Sequence, residues 1–216
     1  MFAVPVPGAP PDAARRQLLT WIAATGGAAL CGPSIAAGRP QTTEPTGFYD
    51  HFTDMRLLDQ DGVTLKAQSL MGRTALFNFV FTGCSTVCPI QTRALTQLQE
   101  KLPSALLSRF RQVSVSLDPL GDTPAALKSF ARRMGADHKG WRFVTGRPSD
   151  IDRLSASLRL FREGTGPKKL EDHSTALWLI DTQGQIRSRY QGNPPDVARL
   201  AREIEALDQV TRARLS

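Results

Sequence analysis

Two cysteines, Cys84 and Cys88, stand four positions apart in "FTGCSTVCPI", at the end of an apolar run and directly before Pro89. Proline fits a helix only in its first turn, so a helix is expected to open at about Cys88 with Cys84 in the loop before it. That arrangement brings both sulfurs to one helix end, with Cα atoms about 6 Å apart and within reach of a disulfide. The same approach lets two thiolates share a metal ion. The unpaired N–H groups and positive dipole end of the helix favour the thiolate form. Three chemistries stay open: a structural disulfide, a redox couple and a metal grip. A bridge over so small a loop removes little unfolded-state entropy and makes a weak staple. A thioredoxin-type couple usually has only two residues between its cysteines. A metal grip needs a further ligand, and the chain offers His51, His138 and His173. His51, in "FYDHFTD", and His138, in "GADHKGW", read as surface residues. His173, in "EDHSTALWLID", stands just before a strong strand, where a loop can carry it over a neighbouring helix end.

The elements that must place these residues alternate in type. "MRLLDQDGVTL" reads as a hairpin turning at Asp61-Gly62, and "TALFNFVF", residues 74–81, as a strand buried on both faces. A helix from about Cys88 to Lys101 carries Leu95, Leu98 and Leu102 on one stripe. "RQVSVSL" alternates as a strand, and "DTPAALKSFARRMG" has a Thr cap, a Pro and a closing Gly135. "WRFVTG" is a further strand, followed by a helix at about Ser149 to Leu158 opened by Ser149 and Asp150. "STALWLID" and "GQIRSRYQG" form a second hairpin, and a last helix runs from about Pro195 to Leu207. This is an α/β pattern. It resembles a thioredoxin-like order, a central mixed sheet flanked by helices, with an additional N-terminal β-hairpin.

With 216 residues, 41% hydrophobic and 22% charged, the chain suits one globular domain plus appendages. The net charge of +7 is spread along the sequence rather than blocked, and no nucleic-acid motif accompanies it. The first forty residues differ from the rest. Arg15 and Arg16, then Leu18 and Leu19, then an uncharged Ala- and Gly-rich run to Cys31, then small residues, have the order of a twin-arginine export signal. The run is too short and too diluted by Gly26 and Gly27 to span a membrane comfortably. Cleavage near Ala36 or Ala37 would remove Cys31 and leave Cys84 and Cys88 as the only thiols. The expected organisation is a signal over residues 1–37, a flexible leader over 38–47, one domain over 48–210 and a tail over 211–216.

The segments "FVFTGCSTVCP", "VSLDPLGDTP" and "DHSTALWLIDTQG" together resemble the Sco/SenC family of copper-delivery proteins, in motif sequence, order and separation. The resemblance spans about residues 48–208. It implies a thioredoxin fold in which Cys84, Cys88 and His173 bind copper. Soft Cu(I) suits two thiolates and an imidazole, and Cu(II) is the other state to consider. Asp172 would orient the imidazole or cap a turn. Asp118 and Asp122 match a family motif and are expected to cap the turn and helix there. Many members have Pro and Asp between the cysteines, where this chain has Ser85 and Thr86, which removes a negative charge.

The resemblance implies a periplasmic metallochaperone, not primarily an enzyme, that serves the dinuclear copper centre of cytochrome c oxidase subunit II. Another copper enzyme, such as nitrous oxide reductase, is the alternative client. The same Cys84–Cys88 pair could instead act as a thiol-disulfide reductase on the client's cysteines, and the expected upstream partner is a thioredoxin-like reductant or another copper carrier. A membrane would be met only through the client or an uncleaved signal. Lys168 and Lys169, before His173, would steer an acidic partner or serve as solvated charges.

Overall fold

The protein is described here by a computed structural model, which places residues 47–161 and 169–213. The expected signal and nearly all of the expected leader lie outside those residues, as does Lys168. Seven strands form one mixed sheet in the order β2-β1-β5-β4-β3-β6-β7. They are β1 (Leu57–Asp59), β2 (Thr64–Leu65), β3 (Thr74–Val80), β4 (Phe110–Ser116), β5 (Trp141–Thr145), β6 (Leu177–Ile180) and β7 (Ile186–Tyr190). β3, β4 and β5 run parallel, while β1 and β6 flank them antiparallel. The expected hairpin pairs Leu57 with Leu65, and its Gly62 has the positive φ of 76° that such a turn needs.

Every residue of β3 is buried, as its unbroken apolar run implies. Leu76 and Val80 point to one face of the sheet, beneath α1 (Val87–Lys101), α3 (Pro124–Arg133) and α5 (Val197–Ala213). Ala75, Phe77 and Phe79 point to the other, beneath Phe48, Tyr49 and Phe52 and α4 (Pro148–Ser157). The two faces therefore have separate cores, and the chain's first described turn closes the second of them. The Phe48 N–H donates to the Gly184 carbonyl at 2.8 Å, fastening this turn to the β6–β7 loop. A Cβ at Gly184 would stand 2.9 Å from the Tyr49 ring, on a residue with φ of 79°. Glycine is required there on both counts.

The α1 face is not wholly apolar. Asn78 of β3 and Gln112, Ser114 and Ser116 of β4 all point beneath the helices and are fully buried. Ser114 and Asn78 belong to one connected row. The Trp141 indole N–H donates to Ser114 Oγ (2.9 Å), Ser114 donates to Asn78 Oδ1 (2.7 Å), and Asn78 donates to Gln91 Oε1 (2.9 Å). Gln91, one turn into α1, in turn donates to the Thr175 carbonyl at 2.8 Å. At the other end of α1, Gln99 donates to Gln112 Oε1 at 2.9 Å. The leucine stripe packs α1 down, and the polar row fixes where along the sheet it sits.

Several boundaries differ from expectation. α4 begins at Pro148 with no side-chain cap; Asp150, expected to help open it, is buried in ion pairs with Arg147 (2.7 Å) and Arg153 (3.4 Å). β6 is confined to Leu177–Ile180 because Ser174 leaves the sheet to donate its N–H to the Leu160 carbonyl. α5 runs to Ala213, past Leu207 and through the start of the expected tail. It is held there by a two-pronged Arg109–Asp208 pair at 2.8 and 2.9 Å. A short α2 (Ser104–Leu107) and three 3-10 turns, η1 (Phe48–Phe52), η2 (Ala67–Leu70) and η3 (Leu170–Asp172), are too brief to leave a periodic signal. No helix among the described residues is long and apolar enough to cross a membrane.

Asn78→Ala leaves Gln91 and Ser114 without their buried partner, and should lower stability by about 2–4 kcal/mol. A urea titration monitored by tryptophan fluorescence checks this, with the midpoint falling and the slope unchanged.

Candidate metal centre

The cysteine loop hangs from the C-terminal end of β3. After Val80 the chain turns, and the Cys84 N–H donates back to the Phe81 carbonyl at 3.1 Å. α1 opens at Val87 behind Thr86, whose side chain makes no cap. The missing cap is replaced by sulfur: the Cys88 N–H donates to Cys84 Sγ at 3.3 Å. Pro89 occupies the first turn, where its absent N–H costs nothing.

The two sulfurs are free thiols in unlike surroundings. Cys84 is partly exposed; Cys88 is 1% exposed. Burial alone would raise the Cys84 thiol, but the N–H groups of Cys88, Thr86 and Val87 and the Cys88 thiol all donate to it. The net shift is downward. Burial pushes Cys88 up to about 12, aided by the neighbouring Cys84 sulfur and the Asp122 charge and only partly offset by the Phe81 backbone N–H, which donates to the sulfur. The pair is thus one accessible nucleophile beside one protonated reserve.

His173 lies at the end of η3, 6% exposed. Its Nδ1 meets the Leu170 carbonyl at 2.5 Å. A carbonyl only accepts, so Nδ1 carries the proton and Nε2 keeps its lone pair for another partner. The imidazole stands edge-on to the rings of Phe81 (6.0 Å between centroids) and Phe161 (6.5 Å). Phe81 therefore touches the histidine with its ring and both cysteines through its backbone, its carbonyl accepting the Cys84 N–H and its N–H donating to the Cys88 sulfur. The structure brings Cys84 and Cys88 together and sets His173 one aromatic ring away. Among the described residues, no three His, Cys, Asp or Glu side chains are gathered closely enough to enclose a metal ion. The donors are of the right kind for a soft ion, two sulfurs and one imidazole nitrogen, and are held as an open set rather than a closed cage.

Asp172 is exposed, and no bond links its side chain to the imidazole, whose orientation is set by the Leu170 carbonyl instead. His51 and His138 are half-buried rather than fully on the surface. His51 Nδ1 contacts Ser157 Oγ at 3.0 Å, and burial outweighs the nearby Asp50 charge in lowering its pKa.

The motif acids also divide. Asp118 caps its turn as expected, accepting the Gly121 N–H at 3.0 Å. The cap of α3 is Thr123, which accepts the Ala126 N–H, so the expected capping role of Asp122 is wrong. Asp122 is fully buried and reaches across to the cysteine loop. It accepts the Thr82 N–H at 3.1 Å, and the hydroxyls of Thr82 and Ser116 at 2.5 Å each. Thr82 lies two residues before Cys84, so this carboxylate ties the loop to the end of β4. Gln91 is the other residue that sequence reasoning overlooked, since it bonds both Asn78 and the segment just after His173. Its signal was a polar side chain on the buried stripe of α1, one turn after Cys88.

A central mixed sheet flanked by helices, with two thiols where a middle parallel strand gives way to a helix, defines a thioredoxin-like α/β protein. The family model for SCO1/SenC matches residues 43–209. The SCO1 protein homolog of Bacillus subtilis is 32% identical over 162 residues, 73% of this chain and 81% of its own length. A relative from Stutzerimonas stutzeri with a provisional copper-binding name is 29% identical, over 62% of this chain and 65% of its own. The solved structure of BsSco, described as a Sco-family cytochrome c oxidase assembly protein with a disulfide switch, superposes with a TM-score of 0.59. It is 30% identical, covering 70% of this chain and 90% of that one. The chain belongs to the SCO1/SenC family.

Two outcomes follow from this geometry. Iodoacetamide at neutral pH should label Cys84 first, because its lowered pKa raises its thiolate fraction. Cys88 should react appreciably only as the pH approaches about 12; peptide mass spectrometry of wild type and Cys84→Ser separates the two. Asp122→Ala strands the Thr82 and Ser116 donors and should cost about 3 kcal/mol, read by thermal or urea unfolding.

Proposed function

We propose that this protein is a copper carrier that takes Cu(I) as cargo on Cys84, Cys88 and His173. In this reading it delivers copper to the dinuclear centre of cytochrome c oxidase subunit II. The observation that carries the proposal is the donor set: paired sulfurs at a helix mouth, with an imidazole nearby whose Nε2 is the free nitrogen. Family membership and the copper-binding and oxidase-assembly descriptions of relatives support it. Residues 1–37 act as an export signal, and the carrier works in the periplasm. Nitrous oxide reductase is the alternative client.

The residues divide the work. Cys84, already inclined to the thiolate form and partly exposed, meets the incoming ion first. Cys88 must give up a proton to become a second ligand, so loading releases protons and weakens as pH falls. His173 supplies a neutral donor through Nε2 while the Leu170 carbonyl holds its Nδ1–H. An open set of three donors leaves room for a client ligand to enter before the carrier lets go.

The unequal thiols favour a second reading, in which the pair reduces the client's copper-ligand cysteines. The Cys84 thiolate attacks the client disulfide, forming a mixed disulfide and expelling one client thiolate. Cys88 then loses its proton and attacks Cys84 Sγ, closing the Cys84–Cys88 disulfide and releasing the second client thiolate. The two electrons pass from the carrier's dithiol to the client.

X-ray absorption and metal analysis of the reduced protein test the first reading. They should find one Cu(I) per chain on two sulfurs and one nitrogen, with the nitrogen lost in His173→Ala. Absence of retained copper in wild type would sink it. Retained disulfide exchange in His173→Ala, with copper held more weakly, would separate the two roles.

A further inference from the structure

The end of the sheet opposite the cysteines has a feature that copper handling does not use. Arg73 directly precedes β3, Arg111 is the second residue of β4, and Lys139 lies just before β5. All three therefore gather at the N-terminal ends of the parallel strands, about 20 Å from the thiols along β3. A half-open cavity of about 640 Å³ lies there, walled by Gln99, Glu100, Leu107, Arg111, His138 and Lys139. That volume falls within the range of small-molecule sites.

Three observations describe what it would hold. Arg73 and Arg111 both donate to the Ser108 carbonyl, at 3.0 and 3.2 Å, which brings two guanidinium groups to one backbone oxygen. Neither they nor Lys139 forms an ion pair with a carboxylate among the described residues. Elsewhere in the fold the arginines nearest a buried acid do pair with it, as Arg109 and Arg147 do. Second, a buried nitrogen in the wall, His138 Nε2, lacks a hydrogen-bond partner. Third, Glu100 is a carboxylate in the wall, but it is exposed and forms no ion pair, so it leaves the cations uncompensated. Burial, and then the charges of Arg73 and Arg142, push the Arg111 guanidinium below its ordinary value, as expected for a cation short of a counter-charge.

We infer that this cavity is a binding site for a small multivalent oxyanion, a phosphate ester or polycarboxylate, seated between Arg111 and Lys139 with His138 against it. Guanidinium groups match such oxygens with paired, charge-assisted hydrogen bonds. The site is independent of the copper reading and of the cysteines.

The test is isothermal titration of the full, reduced, metal-free chain at low ionic strength with pyrophosphate, with citrate and with a short polyglutamate peptide. Saturable binding of one pyrophosphate or citrate per chain is expected, and whichever binds tighter assigns the phosphate or carboxylate class. Arg111→Gln and the exposed Lys139→Gln should each weaken it by about tenfold or more. Arg202→Gln, which removes a charge elsewhere, and Cys84→Ser should leave it unchanged. Lys139→Gln keeps the test valid if Arg111→Gln disturbs folding. Absence of saturation, equal weakening by Arg202→Gln, or binding of the acidic peptide alone would overturn the inference.

Discussion

The buried row of polar side chains beneath α1 is the constraint on which the rest of the structure depends. A helix packed on a sheet by leucines alone can slide or roll at small cost, because apolar contact is not directional. Here Gln91 and Gln99 must meet Asn78 and Gln112, and a displaced helix would strand several hydrogen-bonding groups in a dry core. The row sets α1 in one register, and with it the position of Cys88 relative to the end of β3. Through the Thr175 carbonyl it also sets the segment that follows His173. The same side chains thus locate two elements of the site that are far apart in sequence.

The site is assembled from three pieces of chain, each anchored differently. The loop before Cys84 is drawn to β4 by Asp122. The helix carrying Cys88 is seated by Gln91 and its leucines. The turn carrying His173 is fixed by its own bond to Leu170 and by ring contact with Phe81. Phe81 is the common neighbour, presenting its backbone to the two cysteines and its ring to the imidazole. Rigid anchors beneath an open donor set suit a site that must exchange what it holds.

Much of this was legible in the sequence where the signal is local. The apolar run of β3, the Asp61-Gly62 turn, the Thr123 cap and Pro89 at a helix start each report on their nearest neighbours, and each stands where expected. The two cysteines at one helix end were legible for the same reason. What escaped was non-local and polar. Nothing in "SLDPLGD" announces that Asp122 turns inward to Thr82 instead of capping α3. Gln91 falls on the buried stripe of α1, but nothing in its position names Asn78 as the partner beneath it. The distance between His173 and the sulfurs is likewise a product of tertiary packing, and no spacing in the chain encodes it.

The sheet order also determines when the site can exist. β3 lies between β4, which soon follows it in the chain, and β6, which lies near the other end. As the polypeptide lengthens from its N-terminus, both cysteines appear long before β6, Thr175 and His173. Until that late hairpin arrives, β3 has an unpaired edge and the thiols have no fixed surroundings. Pairing across so much intervening chain is slow, so the young protein passes through an interval in which its sulfurs are reactive but ungoverned. Whatever compartment it matures in must keep those sulfurs from wrong partners until the last strands dock.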